Sequence, residues 1–169
     1  AKTASLFAAA TKVGPILANK ESKIKEALEF YGKNLGLTFQ IADDTLDYNS
    51  ELKIFGKEIG NDFYEGKITL PIILLYQKAG LEEKKNLREF FEKDKRTESD
   101  LNKVLSMIKK YNIISDCYVK ANHFINLASN SLSIFKDSKE KEILYKLQWG
   151  PIKIRGSPLW SKLKHLYFP

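Results

Sequence analysis

The sequence predicts an all-α protein. Apolar residues recur at spacings of three and four in almost every patterned stretch, short polar breaks separate those stretches, and no alternating run rich in β-branched residues is convincing as a strand. Thr3 to Ala18 is rich in alanine, with Leu6, Phe7, Val13, Ile16 and Leu17 as its apolar set, so another helix can approach it closely. Ser22 through Asp47 carries the clearest period. There Ile24, Ala27, Leu28, Tyr31, Leu35, Thr38, Phe39, Ala42 and Leu46 form the single stripe that a half-buried helix requires.

Between Tyr48 and Lys67 the period disappears and Gly56, Gly60 and Gly66 punctuate a polar segment, which predicts a loop of about twenty residues, a length usually functional or disordered. Thr69-Leu70-Pro71 reads as a helix start, with Thr69 as the cap and proline tolerated in the first turn. Leu70 to Ala79, Glu82 to Lys93, Glu98 to Tyr111 and Ser115 to Phe135 complete the helical series.

A chain of 169 residues fits one domain with one core, read here as residues 1–147. Residues 148–169 form an atypical basic tail: both tryptophans and three of the five prolines fall after Lys146. The net charge of +7 is also uneven. From Lys139 onward there are seven Lys or Arg against two Glu, which leaves a nearly balanced body with its lysines scattered among glutamates. That is a solvated helical surface rather than a nucleic-acid footprint.

The longest apolar run, residues 70–76, is far short of the ~20 residues that span a bilayer, so no integral membrane segment is expected. Cys117 is the only cysteine, which excludes an internal disulfide and fits a reducing compartment. His123 and His165 have no metal-ligand spacing and read as ordinary histidines.

The chemistry concentrates in Phe39-Gln40-Ile41-Ala42-Asp43-Asp44-Thr45-Leu46-Asp47 and in the glycine-punctuated segment after it. On a helix Asp43 and Asp47 share a face and Asp44 flanks them, so a cation should offset their mutual repulsion. Oxygen-only donors favour a hard ion such as Mg²⁺, which usually takes one or two carboxylates plus substrate phosphates; the expected ligand is therefore a diphosphate. Lys57 and Lys67, each beside a glycine, supply point charges for that anion, and Lys2 is a third candidate. Gln40, one turn before Asp43, can orient a carboxylate or the ligand. For Phe39 a plain core position is the preferred reading, and an aromatic facing a developing carbocation the other.

Taken together, Lys2-Thr3-Ala4-Ser5-Leu6-Phe7, the Phe39 to Asp47 run, Gly56-Lys57 and Gly60-Asn61-Asp62 to Pro71 resemble the C-terminal half of a trans-isoprenyl diphosphate synthase, the polyprenyl synthetase family. The resemblance implies an antiparallel helical bundle of the isoprenoid synthase type with its N-terminal half absent. It implies that Asp43, Asp44 and Asp47 hold Mg²⁺ and that Lys2, Lys57 and Lys67 bind the diphosphate of an allylic substrate. Thr3 and Gln40 would line the surroundings of the allylic cation, which the double bond of isopentenyl diphosphate attacks. The same resemblance implies a homodimer or a partner half-chain, and little turnover by the chain alone, because the first aspartate-rich motif lies upstream of the Lys-Thr element; a cytoplasmic location is expected from the lone cysteine and the lack of a secretory leader at the start. A non-catalytic partner subunit of a prenyl synthase is the alternative, and a helical terpene cyclase a third reading that the Thr-Leu-Pro run fits less well.

Overall fold

The computed structural model describes residues 2–49 and 59–148. Eight α-helices follow in order among them: α1 (Lys2–Leu17), α2 (Ser22–Leu46), α3 (Asn61–Tyr64), α4 (Leu70–Lys78), α5 (Leu81–Glu92), α6 (Glu98–Lys110), α7 (Ile113–Ser131) and α8 (Lys139–Leu147), with a 3₁₀ turn at Leu132–Ile134. No strand occurs among the described residues, and the chain is all-α as expected. It divides into two units, described separately.

The first unit holds residues 2–42 and 118–148. Helix α1 ends where Asn19 takes a left-handed conformation (φ 46°) and the Lys20 N–H returns to the Pro15 carbonyl at 2.9 Å, so the last-turn carbonyls keep partners. Of its alanines Ala4 is buried and Ala9 and Ala10 are exposed, and the close approach to α2 is set by two glycines on α2. A Cβ on Gly36 would lie 2.7 Å from Ala4 Cα, and one on Gly32 would meet the Phe7 carbonyl. The Thr11 hydroxyl donates to the Leu28 carbonyl at 2.6 Å across the same contact.

Tyr31, Leu35, Ala128 and Leu132 form the buried cluster of this unit, with Phe7, Leu28, Phe135, Leu144 and Tyr145 packed around it. Full burial of side chains of this size is worth roughly 1.5–3 kcal/mol each. Tyr31 keeps its hydroxyl satisfied by donating to the Leu144 carbonyl at 2.7 Å, which ties α8 to α2. Helix α8 itself is absent from the sequence reading, because its Lys-Glu-Lys-Glu start carries little apolar period. Ser138 nevertheless caps it, accepting from the Lys141 N–H at 3.2 Å. Gln148, assigned by sequence to the tail, is 1% exposed and donates to Ser129 Oγ at 2.7 Å. The rest of the tail, 149–169, lies outside the described residues.

The second unit holds residues 43–49 and 59–117. Phe63, Leu75, Leu87, Leu101, Val104, Ile108 and Ile113 are buried in it. Thr97 starts α6 with a full capping box: its hydroxyl accepts the Asp100 N–H at 3.2 Å while Asp100 Oδ2 accepts the Thr97 N–H at 3.0 Å. Thr69 behaves differently from the expectation. It occupies the N-cap position of α4 with extended backbone, but its side chain makes no capping bond; the Ile73 N–H is taken by the Thr69 carbonyl at 3.1 Å. Nor is the segment before it a continuous loop, since residues 61–64 form α3.

Candidate functional site

The last turn of α2 and the residue just past it present two kinds of aspartate. Asp43 and Asp44 are partly exposed, whereas Asp47 is 4% exposed and turned toward the segment that follows. Asp47 Oδ2 accepts the Asp62 backbone N–H at 2.8 Å, and the Asp47 carbonyl accepts the Gly60 N–H at 2.8 Å. Gly60 sits in the left-handed region (φ 85°) at the N-cap of α3 and has no side chain with which to cap it. The Asp47 carboxylate, one residue past α2, serves an orphan amide of the first turn instead, in the place where negative charge is favoured.

Beyond α3 the chain turns at Gly66 (φ 74°), and the Lys67 N–H returns to the Asp62 carbonyl at 2.8 Å. The Lys67 ammonium lies 3.4 Å from Asp62 Oδ1 and also pairs with Glu65; hydrogen bonds to Glu65 and then Asp62 push its pKa above the ordinary lysine value. Its side chain is 57% exposed. Arg96 supports the same turn from thirty-two residues away. Its guanidinium donates to the Tyr64 carbonyl at 3.3 Å and to the Phe91 carbonyl at 2.7 Å, and it would crowd any Cβ placed on Gly66.

Under the aspartates lies Tyr48, 1% exposed, whose hydroxyl makes no hydrogen bond. Burial first, and then the charges of Asp47, Asp62 and Asp44, push its phenol pKa upward. The Thr69 hydroxyl is near enough to ease that shift, but the two do not reach hydrogen-bond geometry. Cys117 is fully buried and its thiol is pushed up to about 12 by burial, with a hydrogen bond to Thr45 working against the shift, so it is an inert core residue.

In the first unit the Thr3 hydroxyl donates to Gln40 Oε1 at 2.9 Å, bringing together two of the residues singled out in the sequence. Lys2 is exposed one residue earlier. Phe39 is 37% exposed and stacks at a tilt on Phe7, ring centroids 5.8 Å apart, so the core reading preferred for it does not describe its position. His123 lies against the Phe124 ring. Lys57 lies outside the described residues.

Among the described residues no three His, Cys, Asp or Glu side chains are arranged to hold a metal ion. Asp43 and Asp44 remain as hard, partly exposed oxygen donors, which suits an ion that completes its shell with water and phosphate oxygens rather than with protein alone. Tyr48, Arg96 and the capping role of Asp47 escaped the sequence reading because each acts through backbone or burial contacts distant in sequence.

Fold and residues together place the chain in the class of all-α proteins that carry an aspartate-rich helix end followed by a glycine and lysine turn. Within that class it belongs to the polyprenyl synthetase family, whose pattern matches residues 1–108. Among its relatives, a prenyl transferase of Cyanidium caldarium is 35% identical over 148 residues, covering 88% of this chain and 44% of the relative. Solanesyl diphosphate synthase 2 of Arabidopsis thaliana, a chloroplast protein, is 33% identical over 152 residues, covering 87% and 35%. A crystal structure of a polyprenyl synthase from Caulobacter crescentus, complexed with calcium and isoprenyl diphosphate, superposes with a TM-score of 0.83 at 35% identity, over 92% of this chain and 48% of that one. The chain thus spans under half the length of the curated relatives it matches. No helix among the described residues is long and apolar enough to cross a membrane.

Proposed function

We propose that this chain carries the second aspartate-rich half of a prenyl-elongating site, in which an allylic diphosphate condenses with isopentenyl diphosphate. The observation that supports it most is the 2.8 Å bond from the Asp62 N–H to Asp47, because it joins the aspartate end of α2 to the turn that carries Lys67. Carboxylates for a cation and an ammonium for an anion are thereby built into one stretch of chain.

In this reading Asp43 and Asp44 hold Mg²⁺, which supplies neutralisation of the departing diphosphate. Lys67, together with Lys57 and Lys2, gives charge-assisted hydrogen bonds to diphosphate oxygens. As the allylic C–O bond breaks, Lys67, Lys57 and Lys2 would take up charge on the leaving diphosphate while the isopentenyl double bond attacks the allylic carbon, and loss of a proton would complete the new prenyl diphosphate. The Thr3 and Gln40 pair belongs to the surroundings of the cation, where a fixed amide dipole steadies positive charge without reacting with it. Assembly as a homodimer or with a partner half-chain, and a cytoplasmic setting consistent with the lone buried Cys117, belong to the same reading.

Titration calorimetry with inorganic diphosphate tests it directly. Binding should require Mg²⁺ and weaken at least ~10-fold in Asp43→Ala, the scale of losing one ligand to a bound ion; no binding with Mg²⁺ present would contradict the reading. Prenyl transfer should appear when the chain is paired with the segment upstream of Lys2 in its relatives. Brisk turnover by the 169 residues alone would overturn the expectation of an incomplete site. Stimulation of a complete synthase by a chain that itself ignores Mg²⁺ would favour the non-catalytic subunit.

A further inference from the structure

We infer that Asp47 is a positioning residue and not a metal ligand: it caps α3 and holds the turn that presents Lys67. This rests on the diphosphate reading for its functional consequence, though its structural part stands by itself. The residue serves the turn twice, its carboxylate Oδ2 accepting the Asp62 N–H and its carbonyl the Gly60 N–H, each at 2.8 Å. Asp47 is 4% exposed, while Asp43 and Asp44, four and three residues earlier, are partly open to solvent.

The chemistry follows from what α3 lacks. Its N-cap is Gly60, held at φ 85°, a conformation glycine accepts readily but one that brings no side-chain acceptor. Without an acceptor the first-turn amides of a four-residue helix are orphaned, and so short a helix has no propagation to compensate. Asp47 provides the acceptor and a charge of the favoured sign. Asp62, once held by its amide, returns twice to Lys67: its carbonyl accepts the Lys67 N–H at 2.8 Å and its carboxylate lies 3.4 Å from the ammonium. Asp47 therefore reaches the anion through Asp62 and Lys67.

The conservative variant separates the two roles. An asparagine keeps an oxygen that accepts the Asp62 N–H but is a poor ligand for a hard ion, whereas alanine removes both functions. Amide hydrogen exchange on the full chain should show protection of the Asp62 and Lys67 amides falling about 10-fold or more in Asp47→Ala, as expected for loss of a hydrogen bond to a charged group, and largely retained in Asp47→Asn. In calorimetry with Mg²⁺ and inorganic diphosphate, Asp47→Asn should stay within ~3-fold of the unsubstituted chain, while Asp47→Ala and Lys67→Ala should be non-additive because they act in one chain of contacts. Unchanged exchange in Asp47→Ala, or an Asp47→Asn loss as large as that of Asp43→Ala, would overturn the inference. If the unsubstituted chain fails to bind diphosphate, the diphosphate reading falls, and the exchange result alone upholds or overturns the cap.

Discussion

The hydroxyl of Thr3 donates to Oε1 of Gln40 at 2.9 Å, a bond between the first turn of α1 and a position late in α2, thirty-seven residues apart. It orients an amide whose two ends are otherwise interchangeable, so the Gln40 dipole has a defined direction. Thr3→Val removes the donor at nearly constant volume and should cost about 1 kcal/mol, whereas Thr3→Ser should preserve most of the stability. Urea unfolding of the two variants checks the difference; equal losses would mean that packing of the Thr3 methyl, not the hydrogen bond, holds this contact.

Gly60 and Gly80 make an internal comparison of why glycine is used. At Gly60 a Cβ would lie 2.6 Å from Leu101 and the backbone is left-handed; at Gly80 the nearest atom is Glu83 Oε2 at 3.7 Å and φ is ordinary. Gly60→Ala should therefore destabilise by about 2–4 kcal/mol, combining left-handed strain with overpacking. Gly80→Ala should cost less, about 0.5–1 kcal/mol, since alanine is a poorer N-cap than glycine but meets neither left-handed strain nor crowding there. Thermal unfolding resolves both, at roughly 2–4 °C per kcal/mol for a chain of this size.

Removing the Tyr48 hydroxyl should not destabilise the protein. It is buried without a hydrogen bond, and a buried unsatisfied hydroxyl carries a desolvation cost of about 1–3 kcal/mol. Tyr48→Phe is expected to leave the melting temperature unchanged or to raise it. A fall of more than ~4 °C would show that the hydroxyl is engaged in solution.

Acid stability follows from two carboxylates. Lys93, followed by the Thr97 amide, lowers the Asp100 pKa to about 2, and Lys110, Tyr111 and the Gly80 amide lower that of Glu83 to about 2. Each group binds its proton more weakly folded than unfolded, so its contribution is present above its ordinary value of 3.8 or 4.5 and is lost as pH falls toward 2. The melting temperature should hold from neutral pH to about 5 and then drop, and the drop should be shallower in Asp100→Asn and Glu83→Gln. Thr97→Ala should lower stability at neutral pH by ~1 kcal/mol through loss of the cap.

How far the molecule was legible from sequence differs from element to element. Helix α2 was legible because twenty-five residues of unbroken period leave little else for Tyr31, Leu35 and Ala42 to do but face a core. Helix α6 was legible as the patterned stretch Glu98 to Tyr111, whereas its cap, Thr97 with Asp100, entered only with the structure. Helix α8 was not, since its placement depends on Tyr31 reaching Leu144, a contact across 113 residues. Phe39 shows the converse: helical spacing assigns it to the stripe, yet position on the helix decides burial only once the neighbouring elements are in place, and against Phe7 the residue stays 37% exposed.

By itself the sequence determined the helical class, the aspartate-rich end of α2 and the lysine at 67, because periodicity, charge and glycine spacing are local properties. Tertiary structure decided what each aspartate does. Asp43, Asp44 and Asp47 are alike as letters, and only the return of the chain through Gly60 and Asp62 turns Asp47 inward as a cap while leaving the other two partly exposed. A carboxylate's role is set by which donors reach it, and those donors come from residues that no local pattern connects.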